Sequence, residues 1–272
     1  MIPILFEIGP LTIYSYGAAL VVAFYTTYFL LSRDLKRLNY EVKLASDIIF
    51  SAAVGGILGS KVYYLIENYD RVIEDPTGMI FSGSGLVFLG GLMGGTLGVT
   101  YVLRKNNLPW LVFADIVAPL LILGYAIGRI GCLLVGDDYG LPTHLSWGLT
   151  FKDGLPPTST HNFAYYYPWV DLTGFEPGWL KVHPTQLYET LLGLAIFAFL
   201  WTKRIQVKVA GGLFFTYSIL AGLERFSVEF IRTNDKYLFG LFSGAQVISL
   251  TMIMIGTYFL VYPFKQDEDF QK

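Results

Sequence analysis

Residues 110–134, WLVFADIVAPLLILGYAIGRIGCLL, contain only two charged side chains, Asp115 and Arg129. A helix rises 1.5 Å per residue, so about 20 such residues cross the roughly 30 Å of hydrocarbon in a bilayer. Comparable apolar runs recur at roughly 13–31, 45–66, 83–103, 184–201, 210–230 and 241–262. Only 15% of the chain is charged, against about 25% in an ordinary soluble domain. These features predict an all-α polytopic membrane protein with seven transmembrane helices, forming a single transmembrane domain over 1–272. One connection, at about 135–182, is long enough to form a cap outside the membrane. Its runs NFAYYYPWV and PWVDLTGFEPGW suit the headgroup level, where Tyr and Trp are favoured.

Lysine and arginine set the expected direction. Eleven of them lie in the connections after the first, third and fifth runs and in the C-terminal tail, among them Arg33, Arg104, Lys203, Lys265 and Lys272. Five lie on the other side: Arg71, Lys152, Lys181, Arg232 and Lys236. The positive-inside rule then puts the N-terminus outside and the C-terminus in the cytoplasm. The opening MIPILFEIGP has no basic n-region and contains Glu7, so it reads as part of the mature chain rather than a signal peptide.

Several functions are excluded early. A net charge of −2 with no basic cluster gives no nucleic-acid footprint. The single cysteine, Cys132, rules out an intrachain disulfide and a CxxC site. His144, His161 and His183 lack zinc-site spacing, so neither metal nor cofactor is expected.

Small residues mark helix faces. Gly90, Gly94 and Gly98 recur four apart, as do Gly91 and Gly95, and Gly124 and Gly128 repeat the device. Such spacing lets helix backbones approach closely. The alternative for GSGLVFLGG is a broken, pocket-lining segment.

Charges at depth in lipid ask for partners. Arg129 is costly in hydrocarbon. Further along, Arg225, Glu229 and Arg232 follow at i, i+4 and i+7, as if on one helix face. His183 and Pro184 open the fifth run, with Gln186 and Glu189 one to two turns in. Tyr16 lies at the start of the first run. With seven spans, Tyr16, Arg129, Asp137, His183, Gln186, Glu189, Arg225 and Arg232 all gather on the outer side. A transporter would carry polar groups at the midplane instead. Two readings stand side by side. One is interhelical ion pairing of Arg129 or Arg225 with Glu224, Glu229 or Asp137. The other is a phosphate clamp by guanidiniums from different helices.

GRIGCLLVGDDYG, HPTQLYE, GLERFSVEFIR and SGAQVISL, with IYSYG and GLVFLGGLMG before them, resemble the successive signature regions of the bacterial prolipoprotein diacylglyceryl transferases. The resemblance spans nearly the whole chain. It implies a monomeric enzyme of the bacterial inner (cytoplasmic) membrane, surrounded by membrane lipids, with its active site toward the periplasm. Such an enzyme moves a diacylglyceryl group from phosphatidylglycerol to the lipobox cysteine thiol of a prolipoprotein, forming a thioether and releasing glycerol phosphate. By similarity Arg129 and Arg225 are the essential arginines, and Tyr16, Gly140 and Arg232 are further family positions. Asp137, Gln186, Glu189 and Glu229 join them as expected substrate-binding groups, and the expected acceptor of the thiol proton is His183 or the leaving phosphate itself. The chain departs from the family at Leu89, where a histidine is usual, at Cys132 for asparagine, at Asp137 for glutamate, and at Ala221 for tyrosine. The alternative reading is a catalytically silent phospholipid-binding protein acting as a chaperone or interaction partner.

Overall fold

The computed structural model describes residues 2–9, 11–81, 87–236 and 240–264. Among them the chain opens with a feature not expected from the sequence, an antiparallel hairpin of β1 (Ile4–Ile8) and β2 (Leu11–Tyr14). Helix α1 (Ser15–Arg37) follows directly, so the first helix starts two residues later than the apolar run. Ser15 fixes this junction, its amide donating to Pro3 O at 2.9 Å and its hydroxyl to Ile2 O and Pro3 O. The amide of Ile2 donates to Leu134 O at 3.1 Å.

Next come α2 (Lys43–Glu67), the short α3 (Tyr69–Glu74) and α4 (Pro76–Phe81), then α5 (Phe88–Lys105) and α6 (Trp110–Val135). After the cap, which contains α7 (Thr160–Tyr166), the chain forms α8 (Thr185–Lys203), α9 (Gly212–Val228) and α10 (Gly244–Val261). Four of these are long and apolar enough to cross a membrane: α1, α2, α6 and α10. The other long helices, α5, α8 and α9, lie over the remaining predicted runs. Large apolar side chains such as Val21, Tyr25, Phe50, Ile57, Ile66 and Met254 are exposed along α1, α2 and α10, a surface suited to lipid. The basic tail residues Lys265 and Lys272 and most of GSGLV fall outside the described residues.

The chain forms two compact units. Tyr28–Phe113 is one; Met1–Thr27 with Ala114–Lys272 is the other. In the first, α2 and α5 meet through glycines. A Cβ placed on Gly55, Gly59, Gly94 or Gly98 would collide with backbone of the facing helix. Ser60 Oγ adds a hydrogen bond to Val87 O at 2.9 Å. The close-packing reading of the Gly90, Gly94 and Gly98 repeat is what the structure contains.

In the second unit α9 packs between α8 and α10. Ile122, Leu200 and Leu213 are buried there against Tyr125, Ile196 and Tyr217. Asp115 starts α9 from outside the helix, accepting from the amides of Gly211 at 2.7 Å and Phe214 at 2.8 Å. A carboxylate suits these otherwise unpaired donors. The cap has its own core of Tyr139, Phe151, Phe163, Leu180 and Val182. It is tied by bridges pairing Gly140 with Arg232, Leu149 with Val182, and Ser159 with Trp179.

Candidate active site

Three chain segments bring charge to one place in the second unit. Arg129 comes late in α6, Glu189 sits near the start of α8, and Arg225 lies near the end of α9. The end of α6, the start of α8 and the end of α9 therefore meet at one level, which is how residues far apart in sequence converge.

Glu189 is the hub. Its side chain has no exposed surface, and its oxygens lie 3.1 Å from Arg129 Nε, 3.6 Å from Arg225 Nη1 and 3.2 Å from Arg232 Nη1. Arg225 also pairs with Glu229 at 2.7 Å, the expected i, i+4 contact. Glu229 is held in turn by Ser243 Oγ at 2.6 Å and Asn234 Nδ2 at 2.8 Å. Ser243 caps α10 in a reciprocal arrangement with Gln246, so the carboxylate is tied to a helix terminus.

Arg232 arrives differently from the sequence expectation. Helix α9 stops at Val228, and Glu229–Ile231 form a tighter turn. Arg232 is extended, with φ −88° and ψ 161°, and bridges to Gly140 of the cap. Only Arg225 and Glu229 keep the helical relation, because the chain must leave the helix to pair with Gly140–Leu141. That pairing is tight: a Cβ on Gly140 would strike Ile231 O and lie 2.9 Å from His183 Cβ.

Asp138 closes the ring of charges. Its Oδ2 lies 2.6 Å from Arg129 Nη1 and its Oδ1 2.8 Å from Arg232 Nη2. From the sequence its neighbour Asp137 is the expected member. In the structure Asp137 offers its backbone oxygen to Gln186 Nε2 at 2.5 Å, and its carboxyl faces the Cys132 thiol and makes no ion pair with the arginines among the described residues. The reason is local: Gly136 and Asp138 both have positive φ, 78° and 58°, and the turn directs the second aspartate to the arginines. Asp residues tolerate this conformation better than most, so the DD doublet was the signal available.

The two aspartates titrate in opposite directions. Burial raises the Asp137 carboxyl above the ordinary value, and the charge of Asp138 adds to the rise. Partial loss of water around the half-exposed Asp138 carboxylate works against its charge, but Arg232 and then Arg129 outweigh it and hold its pKa below the ordinary value. Burial opposes the Arg232 charge too, and Asp138 and Glu189 overcome it.

The remaining predicted residues have these places. Gln186 is fully buried, anchoring the turn that carries Asp138. Tyr16 packs on Gly131, whose added Cβ would lie 3.3 Å from its ring and 2.8 Å from Ala19 Cβ. Among the described residues nothing outside its own helix lies within 4 Å of a Cβ added to Gly128, so the glycine leaves room beside Arg129 rather than a packing face. His183 is joined to the cluster through backbone, its carbonyl accepting from Gly140 N at 2.9 Å. Its ring Nδ1 lies 3.4 Å from Tyr188 Oη, which accepts from Trp147 Nε1 at 2.8 Å. Burial lowers its pKa, favouring neutral imidazole. Glu224 is buried in α9 but is not among the ion pairs of the cluster. Cys132 Sγ lies 3.8 Å from Arg129 Nη1.

Chemically the cluster is an anion-recognising device that is charge-paired but imperfectly hydrogen-bonded. Buried Arg225 Nη1 and Arg232 Nε donate no aligned hydrogen bond to a described residue. Such donors favour an added oxyanion.

A family model described as prolipoprotein diacylglyceryl transferase matches residues 3–262. A protein of Clostridium tetani named phosphatidylglycerol–prolipoprotein diacylglyceryl transferase is 32% identical, over 95% of this chain and 96% of its own length. The protein of the same name from Geobacter sulfurreducens is 32% identical over 93% and 92% of the two chains. The transferase numbered 2 of Clostridium perfringens is 34% identical over 93% and 91%.

Proposed function

The chain belongs to the prolipoprotein diacylglyceryl transferase family, and from that premise we propose that it transfers the diacylglyceryl group of phosphatidylglycerol to the lipobox cysteine thiol of a prolipoprotein. The observation that supports the site assignment is the convergence of Arg129, Arg225 and Arg232 on one fully buried carboxylate, Glu189. A triad of guanidiniums in a region bordered by apolar helices suits a phosphodiester whose acyl chains stay in lipid.

In the reaction the acceptor thiolate attacks the glyceryl carbon, the carbon–oxygen bond to phosphate breaks, and a thioether forms as glycerol phosphate leaves. A free thiol with pKa about 8.5 is already partly ionised near neutrality, so the larger demand is charge on the departing phosphate. Arg129 and Arg225 meet it by donating hydrogen bonds that strengthen as charge develops, with Arg232 beside them. Glu189 and Glu229 fix their planes. Gln186, Asp137 and Gly140 shape the turn and bridge that bring the cap against the arginines, and Tyr16 sets the first helix against α6. The neutral imidazole of His183 takes the thiol proton. Leu89 cannot do so and takes no part. Cys132 stays outside the chemistry, since a thioether formed on it would be too stable to pass on.

The reading includes a single transmembrane domain over 1–272 with seven spans, the N-terminus outside and the C-terminus in the cytoplasm of a bacterial inner membrane. The cluster and the cap then face the periplasm. The protein acts as a monomer, with phosphatidylglycerol and a prolipoprotein lipobox peptide as its partners. A reporter active only outside the cytoplasm should be active after Gly154 and inactive at Lys272; both results reversed would overturn the orientation. The functional test is purified protein in detergent with phosphatidylglycerol and a lipobox peptide. The peptide cysteine should gain the mass of one diacylglyceryl group. Folded protein that binds phosphatidylglycerol and leaves the peptide unmodified would instead support the silent lipid-binding role.

A further inference from the structure

Among the ion pairs of the described residues, the cluster sets three carboxylates, Asp138, Glu189 and Glu229, against three guanidiniums, Arg129, Arg225 and Arg232, with the carboxyls of Asp137 and Glu224 near the same arginines but outside those pairs. A phosphodiester would bring one more negative charge into this balance. Unmatched charge is strongly disfavoured in such a site. A phosphate that takes the place of one carboxylate leaves that balance unchanged, and the spare donors of Arg225 and Arg232 remain to hold it.

The three carboxylates are not equally held. Glu189 is fully buried on a helix and touches every guanidinium of the cluster. Glu229 is buried and fastened by Ser243 and Asn234. The side chain of Asp138 is 45% exposed. Its backbone is anchored separately, because Thr185 Oγ1 donates to Asp138 O at 2.8 Å. The carboxylate can therefore turn about its own side-chain bonds while the peptide stays in place. Its two oxygens bridge Arg129 and Arg232, one to each. The two non-bridging oxygens of a phosphodiester would make the same pair of charge-assisted contacts.

We infer that Asp138 is the placeholder of the phosphate site: its carboxylate spans Arg129 and Arg232 and swings to solvent when a phospholipid phosphodiester takes the same two guanidiniums. One anionic group replaces another, so the cluster stays balanced through binding. Arg232 thereby becomes a direct phosphate ligand, and Asp138 sets the threshold an anion must exceed to enter. This rests on the reading that the cluster binds the phosphate of phosphatidylglycerol.

Two measurements test it. Asp138→Asn keeps the size of the side chain and removes the competing charge. Titrated with short-chain phosphatidylglycerol in detergent, it should bind about tenfold more tightly than the parent, as expected on losing a charge-assisted competitor. Equal or weaker binding means Asp138 only orients the arginines, and overturns the inference. The second measurement uses the unaltered protein and needs no variant to fold. Carbodiimide labelling of carboxylates, mapped by peptide mass, should increase severalfold at Asp138 when phosphatidylglycerol is added. Unchanged or reduced labelling overturns the swing. If phosphatidylglycerol binds neither the parent nor the variant, the reading of the cluster as a phospholipid site fails, and the inference with it.

Discussion

Between α2 and α5 the backbones meet because glycines leave nothing between them. Between α6, α8 and α9 the tie is made by long side chains, Arg129 and Arg225 gathered on Glu189 with Arg232 joining from the extended segment beyond α9. Lipid gives helices little hydrophobic reason to associate, so contact has to come from packing or from polar pairing. The glycine seam leaves no room to rearrange at Gly55, Gly59, Gly94 and Gly98, where even a Cβ would strike the facing backbone. The arginine cluster has spare donors and one half-exposed carboxylate, so it can exchange partners. Rigidity and exchange are thus placed in different units of the same chain, and the exchangeable one is where chemistry is proposed.

The largest expected effect falls on the hub. Glu189→Gln leaves the arginines short of one buried charge, and breaking such a pair costs about 3–5 kcal/mol. Thermal unfolding in detergent should show the loss. A variant as stable as the parent would mean that Glu189 is not the centre of the network.

The seam should respond to a single methyl group. Gly94→Ala puts a Cβ 2.8 Å from Gly59 Cα and against Gly55 backbone, whereas Gly95→Ala meets Ala52 O at 3.3 Å. Overpacking of the first kind costs about 1–3 kcal/mol. Gly94→Ala should therefore melt clearly lower than Gly95→Ala, and equal melting would break the contrast drawn between the two regions.

Acid should spare the cluster until low pH. The pKa of Asp138 is depressed in the folded protein below the ordinary 3.8, with the partial loss of water opposed and outweighed by Arg232 and Arg129. Its contribution is therefore complete above that value and is lost as pH falls through the folded one. Unfolding measured between pH 7 and 5 should show no loss attributable to Asp138. The difference in stability between the parent and Asp138→Asn should shrink only below about pH 4. A difference that already shrinks between pH 7 and 5 would contradict the assignment. The smallest effect is expected at Cys132, where Cys132→Ser should keep the transfer rate within about threefold, since no step needs a protein thiol. A folded but inactive Cys132→Ser would require a different mechanism.

Much of this contrast was legible in the sequence. The long helices lie over the apolar runs because bilayer thickness dictates run length, and the glycines at intervals of four read correctly as a seam. Arg129, Glu189, Arg225, Glu229 and Arg232 could be gathered because alternating helix direction brings chain-distant ends to one level. What escaped was local geometry. Strands β1 and β2 are too short to leave a pattern distinct from an apolar helix start. The choice between Asp137 and Asp138 depends on two positive φ angles in one turn. Arg232 looked helical because spacing cannot reveal that Val228 is the last α-helical residue.

The central claim is that guanidinium geometry, not charge alone, holds the phosphate as it leaves. Arg129→Lys keeps the charge and loses the planar fork, while Arg129→Gln loses both. In the purified assay with phosphatidylglycerol and a lipobox peptide, Arg129→Lys should lose transfer by about 100-fold or more, the scale of removing one oriented donor from a developing oxyanion. Arg129→Gln should give no detectable transfer, with both variants folded. A folded Arg129→Lys as active as the parent would contradict the account and leave Arg129 as an ion-pairing residue alone.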